Sequence, residues 1–245
     1  MFDVQCSMFK DRYLSVLQSP ARIDNPSAPG SIGAPEGPNL IPPRPATHRM
    51  ARGDTLVFLT AFLRHPAQVG AIAPSSRTLA RAIVKGVVCD AGESVLEFGP
   101  GTAAFTEHIR RILPGPGAYL GIEREPRFVS LLRERYPELR FVTGSAENAG
   151  ALHAQAGLGP VRAIISGLPF ASLSGDVQDR IVHSARDLLG EGGLFRTFQY
   201  VHAYALPPAI RFRRKMRKTF GACLRSAVVF RNLPPAFVLT WTRTS

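Results

Sequence analysis

Past Glu191 the chain has no aspartate or glutamate, although ten of its lysines and arginines lie there. With a net charge of +12, this lack of acid excludes a basic partner and points to a polyanion, either nucleic acid or an anionic membrane surface. Cysteine is equally scarce. Cys6, Cys89 and Cys223 are odd in number and widely spaced, which excludes a disulfide framework and a zinc-ligand pattern. No metal is therefore expected. No apolar run approaches the ~20 residues of a membrane-crossing helix, and the first residues lack an apolar signal core flanked by basic residues. The expectation is a cytoplasmic protein.

What the sequence does hold suits one α/β domain with appendages: 245 residues, 45% of them hydrophobic, enough to bury a sizeable core. Residues 1–49 carry eight prolines between Pro20 and Pro45, with glycine and serine among them, and read as an extended or disordered head. Residues 50–245 form the expected domain. Within 54–92 the pattern turns helical: Asp54 can cap, and Leu56, Leu59, Phe62 and Leu63 share one side. That amphipathic helix is too short to span a bilayer and suits either a membrane interface or a cover over a ligand site. A turn, Gly70–Ser76, then leads to a helix over 77–84 with Ser75 or Ser76 as its cap.

From residue 93 strands and helices alternate. Strands are expected at 94–98, 118–122, 139–143, 161–165 and 193–200, the last following a Gly190–Gly193 turn. Helices are expected at 103–113, 126–135 and 175–189, with a loop or short helix at 147–156. A basic helix near 207–219 and strands near 224–231 and 236–242 close the order. The fold class is α/β, a Rossmann-like sheet with helices on both faces.

Two strands end in acids. Val95–Phe98 carries Glu97 and opens into Gly99-Pro100-Gly101-Thr102, while Tyr119–Ile122 ends at Glu123. Glycines without Cβ atoms let the backbone turn tightly against a ligand, and a carboxylate at the end of the second strand can accept from two ribose hydroxyls. A glycine turn alone is also what an ordinary strand-to-helix loop looks like. A dinucleotide site would place a third glycine where Ala104 stands. The run Glu-Phe-Gly-Pro-Gly-Thr instead resembles the first motif of the seven-stranded S-adenosylmethionine-dependent methyltransferases. The resemblance implies S-adenosylmethionine as cofactor, with Glu97, Gly99, Gly101 and the adjoining Thr102 at its methionine moiety and Glu123 and Arg124 at its ribose. The family's usual third glycine is Ala103 here, a departure that a modest backbone shift would absorb. The loop Phe141–Glu147 matches the segment that edges the adenine, implying Ala146 backbone contacts and help from Glu147.

On the acceptor side, Ser166-Gly167-Leu168-Pro169-Phe170 stands where amine-modifying methyltransferases place an Asn/Asp-Pro-Pro-aromatic or Asn-Leu-Pro-aromatic loop. Gly167 aligns with the Asn, so the amide that hooks a flipped base is absent, while Ser166 leaves a hydroxyl at the cofactor and acceptor. Together with Gly70–Ser76 and the basic C-terminal third, residues 55–245 resemble bacterial phospholipid N-methyltransferases. These methylate phosphatidylethanolamine toward phosphatidylcholine. The resemblance implies a peripheral enzyme on the inner face of the cell membrane, with no nucleic acid partner. The attacking amine must be neutral and in line with the sulfonium methyl. Candidate proton acceptors are Glu147, His202 and Tyr200, or water, and Tyr200 also suits a cation–π contact with the amine. Leu59, Phe62, Ser75, Ser76, Arg211, Arg213, Arg214 and Lys215 are the expected lipid and membrane contacts, with Ile210, Phe212, Met216 and Phe220 entering the acyl region. The rival activity is rRNA adenine N6-dimethylation, and a basic binding module without catalysis is the non-enzymatic alternative.

Overall fold

The computed structural model describes residues 75–244. The proline-rich head and the expected helix with Leu59 and Phe62 lie outside them. The described chain opens on α1 (Arg77–Val84), capped by Ser76, whose Oγ accepts from Leu79 N at 3.1 Å. Ser76 N in turn donates to Oδ1 of the buried Asn232, 2.8 Å away and 156 residues on.

Parallel strands β1 (Ser94–Phe98), β2 (Tyr119–Glu123), β3 (Arg140–Thr143), β4 (Val161–Ser166) and β5 (Leu189–Tyr200) then alternate with helices. The helices are α2 (Thr106–Arg110), α3 (Pro126–Arg135), α4 (Ala149–Ala156), α5 (Gly175–Leu188) and α6 (Pro207–Phe220). Two antiparallel strands, β6 (Cys223–Arg225) and β7 (Ala236–Thr242), finish the sheet, whose order is β3-β2-β1-β4-β5-β7-β6. Every side chain of β1 and β2 is buried, as central strands covered on both faces require. Leu79, Ile83, Ile109, Val129 and Leu132 of α1–α3 pack on one face. Ala149, Ile181, Val182, Phe212 and Met216 of α4–α6 pack on the other.

Three boundaries differ from the sequence expectation. The helix expected over 103–113 shortens to Thr106–Arg110, because positive φ at Gly99, Gly101 and Ala103 keeps residues 99–105 in a turn. The glycine segment 190–193 is part of β5: two residues on β4, from Val161 to Ala163, face the five-residue advance from Leu189 to Leu194. This irregularity sits at the strand's entry, away from the ligand edge. The strand expected over 224–231 stops at Arg225 and resumes only as a single bridge between Val229 and Ala236.

Candidate active site

The sheet reverses direction of winding between β1 and β4, where an open α/β sheet leaves a crevice at its carboxyl edge. Backbone hydrogen bonds continue past the strand ends there. Gly144 N donates to Glu123 O (2.9 Å), Gly99 N to Ile122 O (2.9 Å) and Gly167 N to Phe98 O (2.8 Å). The three motifs read from the sequence thus converge on one edge.

The glycine turn is interlocked with the acceptor loop. A Cβ on Gly99 would meet Leu168 Cδ2 at 2.8 Å, and one on Gly167 would meet Gly99 O at 2.8 Å. A backbone oxygen cannot swing aside as a side chain can, so position 167 admits no side chain without moving the turn. Ala103 holds φ 66°, so the backbone keeps the glycine conformation and the alanine bears the strain. The backbone shift expected from sequence does not occur.

Glu123 is buried at the end of β2. Its Oε1 accepts from Arg124 N (2.7 Å) and Glu125 N (3.0 Å), and its Oε2 from Gly101 N (3.0 Å). One lone pair on Oε2 remains for a ribose hydroxyl. Glu97 is fully buried. Its Oε2 takes Tyr119 OH (2.6 Å) and Thr106 Oγ1 (2.8 Å), whereas Oε1 has no partner among the described residues. Burial pushes its carboxyl up to about 7, against the opposing pull of the Tyr119 and Thr106 hydrogen bonds. Above about pH 7 the Glu97 carboxylate places negative charge next to the turn, where a ligand bearing ammonium and sulfonium would place its cations. Thr102 is half-buried within the turn, Arg124 is exposed, and Ala146 is buried at the start of a short 3-10 helix after β3.

Ser166 is buried, with its carbonyl accepting from Thr197 Oγ1 (3.1 Å) and its Oγ accepting from Leu168 N (3.3 Å). Its hydroxyl proton remains to donate. Tyr200 closes β5; its phenol is buried without a partner among the described residues, and burial pushes it up to about 12. Its ring stacks on His202 at 5.7 Å and meets Phe198 edge-on at 5.4 Å.

The fold can now be compared with known ones. No protein-family model matches the chain. Over 188 residues, 75% of this chain and 93% of the relative, it is 28% identical to the ornithine lipid N-methyltransferase of Singulisphaera acidiphila. A second relative, the ribosomal RNA small subunit methyltransferase A of Chlorobium phaeobacteroides, is 31% identical over 41% of this chain but only 35% of its own length. Among solved structures, a TehB-like S-adenosylmethionine-dependent methyltransferase from Corynebacterium glutamicum superposes with a TM-score of 0.54 at 14% identity. That match covers 79% of this chain and all of the other. The chain has the fold of the S-adenosylmethionine-dependent methyltransferases. In proteins of this fold S-adenosylmethionine, when bound, would supply an electrophilic methyl on a sulfonium. The unpartnered Glu97 Oε1 and the open lone pair of Glu123 fit that cationic, ribose-bearing group.

Other sequence assignments find different employment in the structure. Glu147 is tied to α5: burial works against its charge, but Arg180 and Ser145 bonds hold it below the usual carboxylate range. Each of its carboxylate oxygens already accepts one hydrogen bond, and the lowered pKa disfavours proton uptake. Tyr200, held protonated, is no base either. The third candidate, His202, is exposed and stacked on Tyr200. The apolar side of α6 does not face outward: Phe212, Met216 and Phe220 are buried, with Phe212 stacked on Phe170 at 4.2 Å. Arg213 is a clamp, donating to Gln199 Oε1 (2.7 Å) and Tyr204 O (2.8 Å), its guanidinium 3.7 Å from the Tyr204 ring centroid. Lys215 pairs with Asp179 at 2.6 Å. Arg211 and Arg214 are exposed, with no ion pair among the described residues. Ser76 caps α1 and Ser75 is half-buried beside it. Asn232, which ties that cap to the β6–β7 connection, was missed by sequence reading; nothing local marks it.

Proposed function

We propose that this methyltransferase transfers methyl groups to the primary amine of a membrane lipid headgroup, either phosphatidylethanolamine, toward phosphatidylcholine, or an ornithine-type amino lipid. The observation that carries the reading is Gly167. Its missing side chain is not a vacant place for an amide: the Gly99 carbonyl 2.8 Å from any added Cβ excludes one. A planar base needs that amide to hold its amino group in register. A small, mobile amine held by its lipid does not. The relative matched over most of its length acts on an ornithine lipid, which also favours a lipid amine.

In this reading Ser166 Oγ and the Gly167 backbone line the acceptor side, and the Tyr200–His202 stack offers π density to an approaching ammonium. His202 and water are left to take the proton that makes the amine nucleophilic. Arg211 and Arg214 attract anionic headgroups at the inner face of the cell membrane. No helix among the described residues is long and apolar enough to cross a bilayer. The test is mass spectrometry of vesicle lipids after incubation with S-adenosylmethionine, with phosphatidylethanolamine and ornithine lipid in separate arms. A product heavier by one or more methyl groups in either arm supports the reading and names the acceptor. No lipid product in either arm, from protein that binds cofactor, overturns it.

A further inference from the structure

Seven large apolar side chains stand exposed among the described residues, and five of them fall on two short segments. Val201, Leu206 and Ile210 follow β5 into the first turn of α6. Phe230 and Leu233, 78% and 83% exposed, sit in the β6–β7 connection. The segments are neighbours: Val201 N donates to Pro235 O at 2.8 Å. Scattered exposed apolar residues are ordinary, but a gathered set is a contact surface.

The second segment is held at its base. Val229 and Ala236 exchange backbone hydrogen bonds of 2.8 and 3.4 Å. Between them Asn232 turns inward, buried, with Nδ2 donating to Pro234 O (2.7 Å) and Oδ1 accepting from Ser76 N (2.8 Å). With Asn232 pulled in, Phe230, Arg231 and Leu233 are left outside. A phenylalanine and a leucine facing water around an arginine cost solvation free energy that the fold does not recover internally.

We infer that residues 229–235, with Val201, Leu206 and Ile210 beside them, form a wedge that enters the surface of an anionic lipid bilayer. Charge selects that occupant. Residues 192–244 contain no acid, so Arg231 at the tip and Arg211 on the neighbouring helix face a phosphate layer without internal competition. A second copy of the same surface would set these arginines against each other. Folded RNA would meet the cations but leave Leu233 and Val201 without an apolar partner. The position also serves the site. Tyr200 pairs with Ala236, so the wedge projects from the edge at which β4 ends in Ser166. Seating it in the interface sets that edge against the headgroups. This last point rests on the proposed lipid acceptor; the wedge itself does not.

The test is sedimentation of the full chain with vesicles of equimolar phosphatidylcholine and phosphatidylglycerol, which contain no amine acceptor. Phe230→Ser with Leu233→Ser should weaken binding roughly tenfold or more, with cofactor affinity and melting temperature unchanged because both side chains are exposed. In a second measurement Phe230→Trp should shift its emission to the blue on adding the vesicles, against a constant background from the buried Trp241. Unchanged binding in the double variant together with an unshifted tryptophan overturns the wedge. So does a double variant that changes the oligomeric state instead of vesicle binding. If lipids are methylated but the wedge fails, the acceptor reading stands alone; if vesicles bind through the wedge but no lipid is methylated, only the acceptor reading falls.

Discussion

Glu97 keeps its proton up to about pH 7 in the folded protein, against an ordinary 4.5, because burial disfavours its charge. Between those two values the unfolded chain binds fewer protons than the native one, so stability falls as pH rises through that window and stays reduced above it. Glu97→Gln should therefore raise the melting temperature at about pH 8, by an increment on the order of 3 kcal/mol, and give little gain below about pH 4.5. Cofactor affinity should fall in the same variant, since negative charge beside the turn is gone; calorimetry and a binding titration at both pH values check the pair. Ala103→Gly relieves a left-handed alanine and should add up to about 1 kcal/mol in urea denaturation, the gain tempered by a more flexible unfolded chain. Gly167→Asn tests the interlock: it should lose about 1–3 kcal/mol of stability and weaken cofactor binding, without gaining activity on RNA. The glycine turn and Glu123 were legible because a strand ending in glycines and a second ending in acid are local patterns. The use of Glu147 was not: Arg180, its partner, is 33 residues away on another element.

Helix α6 shows why element-level reading stopped short. Phe212, Met216 and Phe220 recur every four residues, the spacing of one helix face. That spacing says the face is covered, not by what. A bilayer and the sheet residues Phe195 and Trp241 demand the same pattern, and the structure assigns it to the sheet. Phe212→Ala should accordingly cost about 3–5 kcal/mol in unfolding free energy. Arg211→Ala with Arg214→Ala should leave stability within about 0.5 kcal/mol but reduce vesicle binding and its salt sensitivity. Equal losses of stability and vesicle binding in the arginine pair would contradict the division between a buried face and a free cationic one. The succession of strands and helices along the chain followed from alternation in the sequence, whereas the entry irregularity of β5 and the early end of β6 depend on neighbours that no local window contains.

For the whole molecule, the absence of acid beyond Glu191, an edge built from four strand ends and a loop closed to side chains describe one arrangement: a cationic protein of methyltransferase fold, for which lipid amines are the proposed acceptors. RNA phosphates would satisfy the charge equally well, so charge alone does not choose. Acceptor identity does. The most direct measurement offers methyl-labelled S-adenosylmethionine to the enzyme with vesicles containing phosphatidylethanolamine and ornithine lipid, and undermethylated ribosomal RNA, in one reaction. Label partitioning into the lipid phase is the predicted result. Label found in RNA alone would contradict the account and return Gly167 to being a mere variation on a base-binding loop.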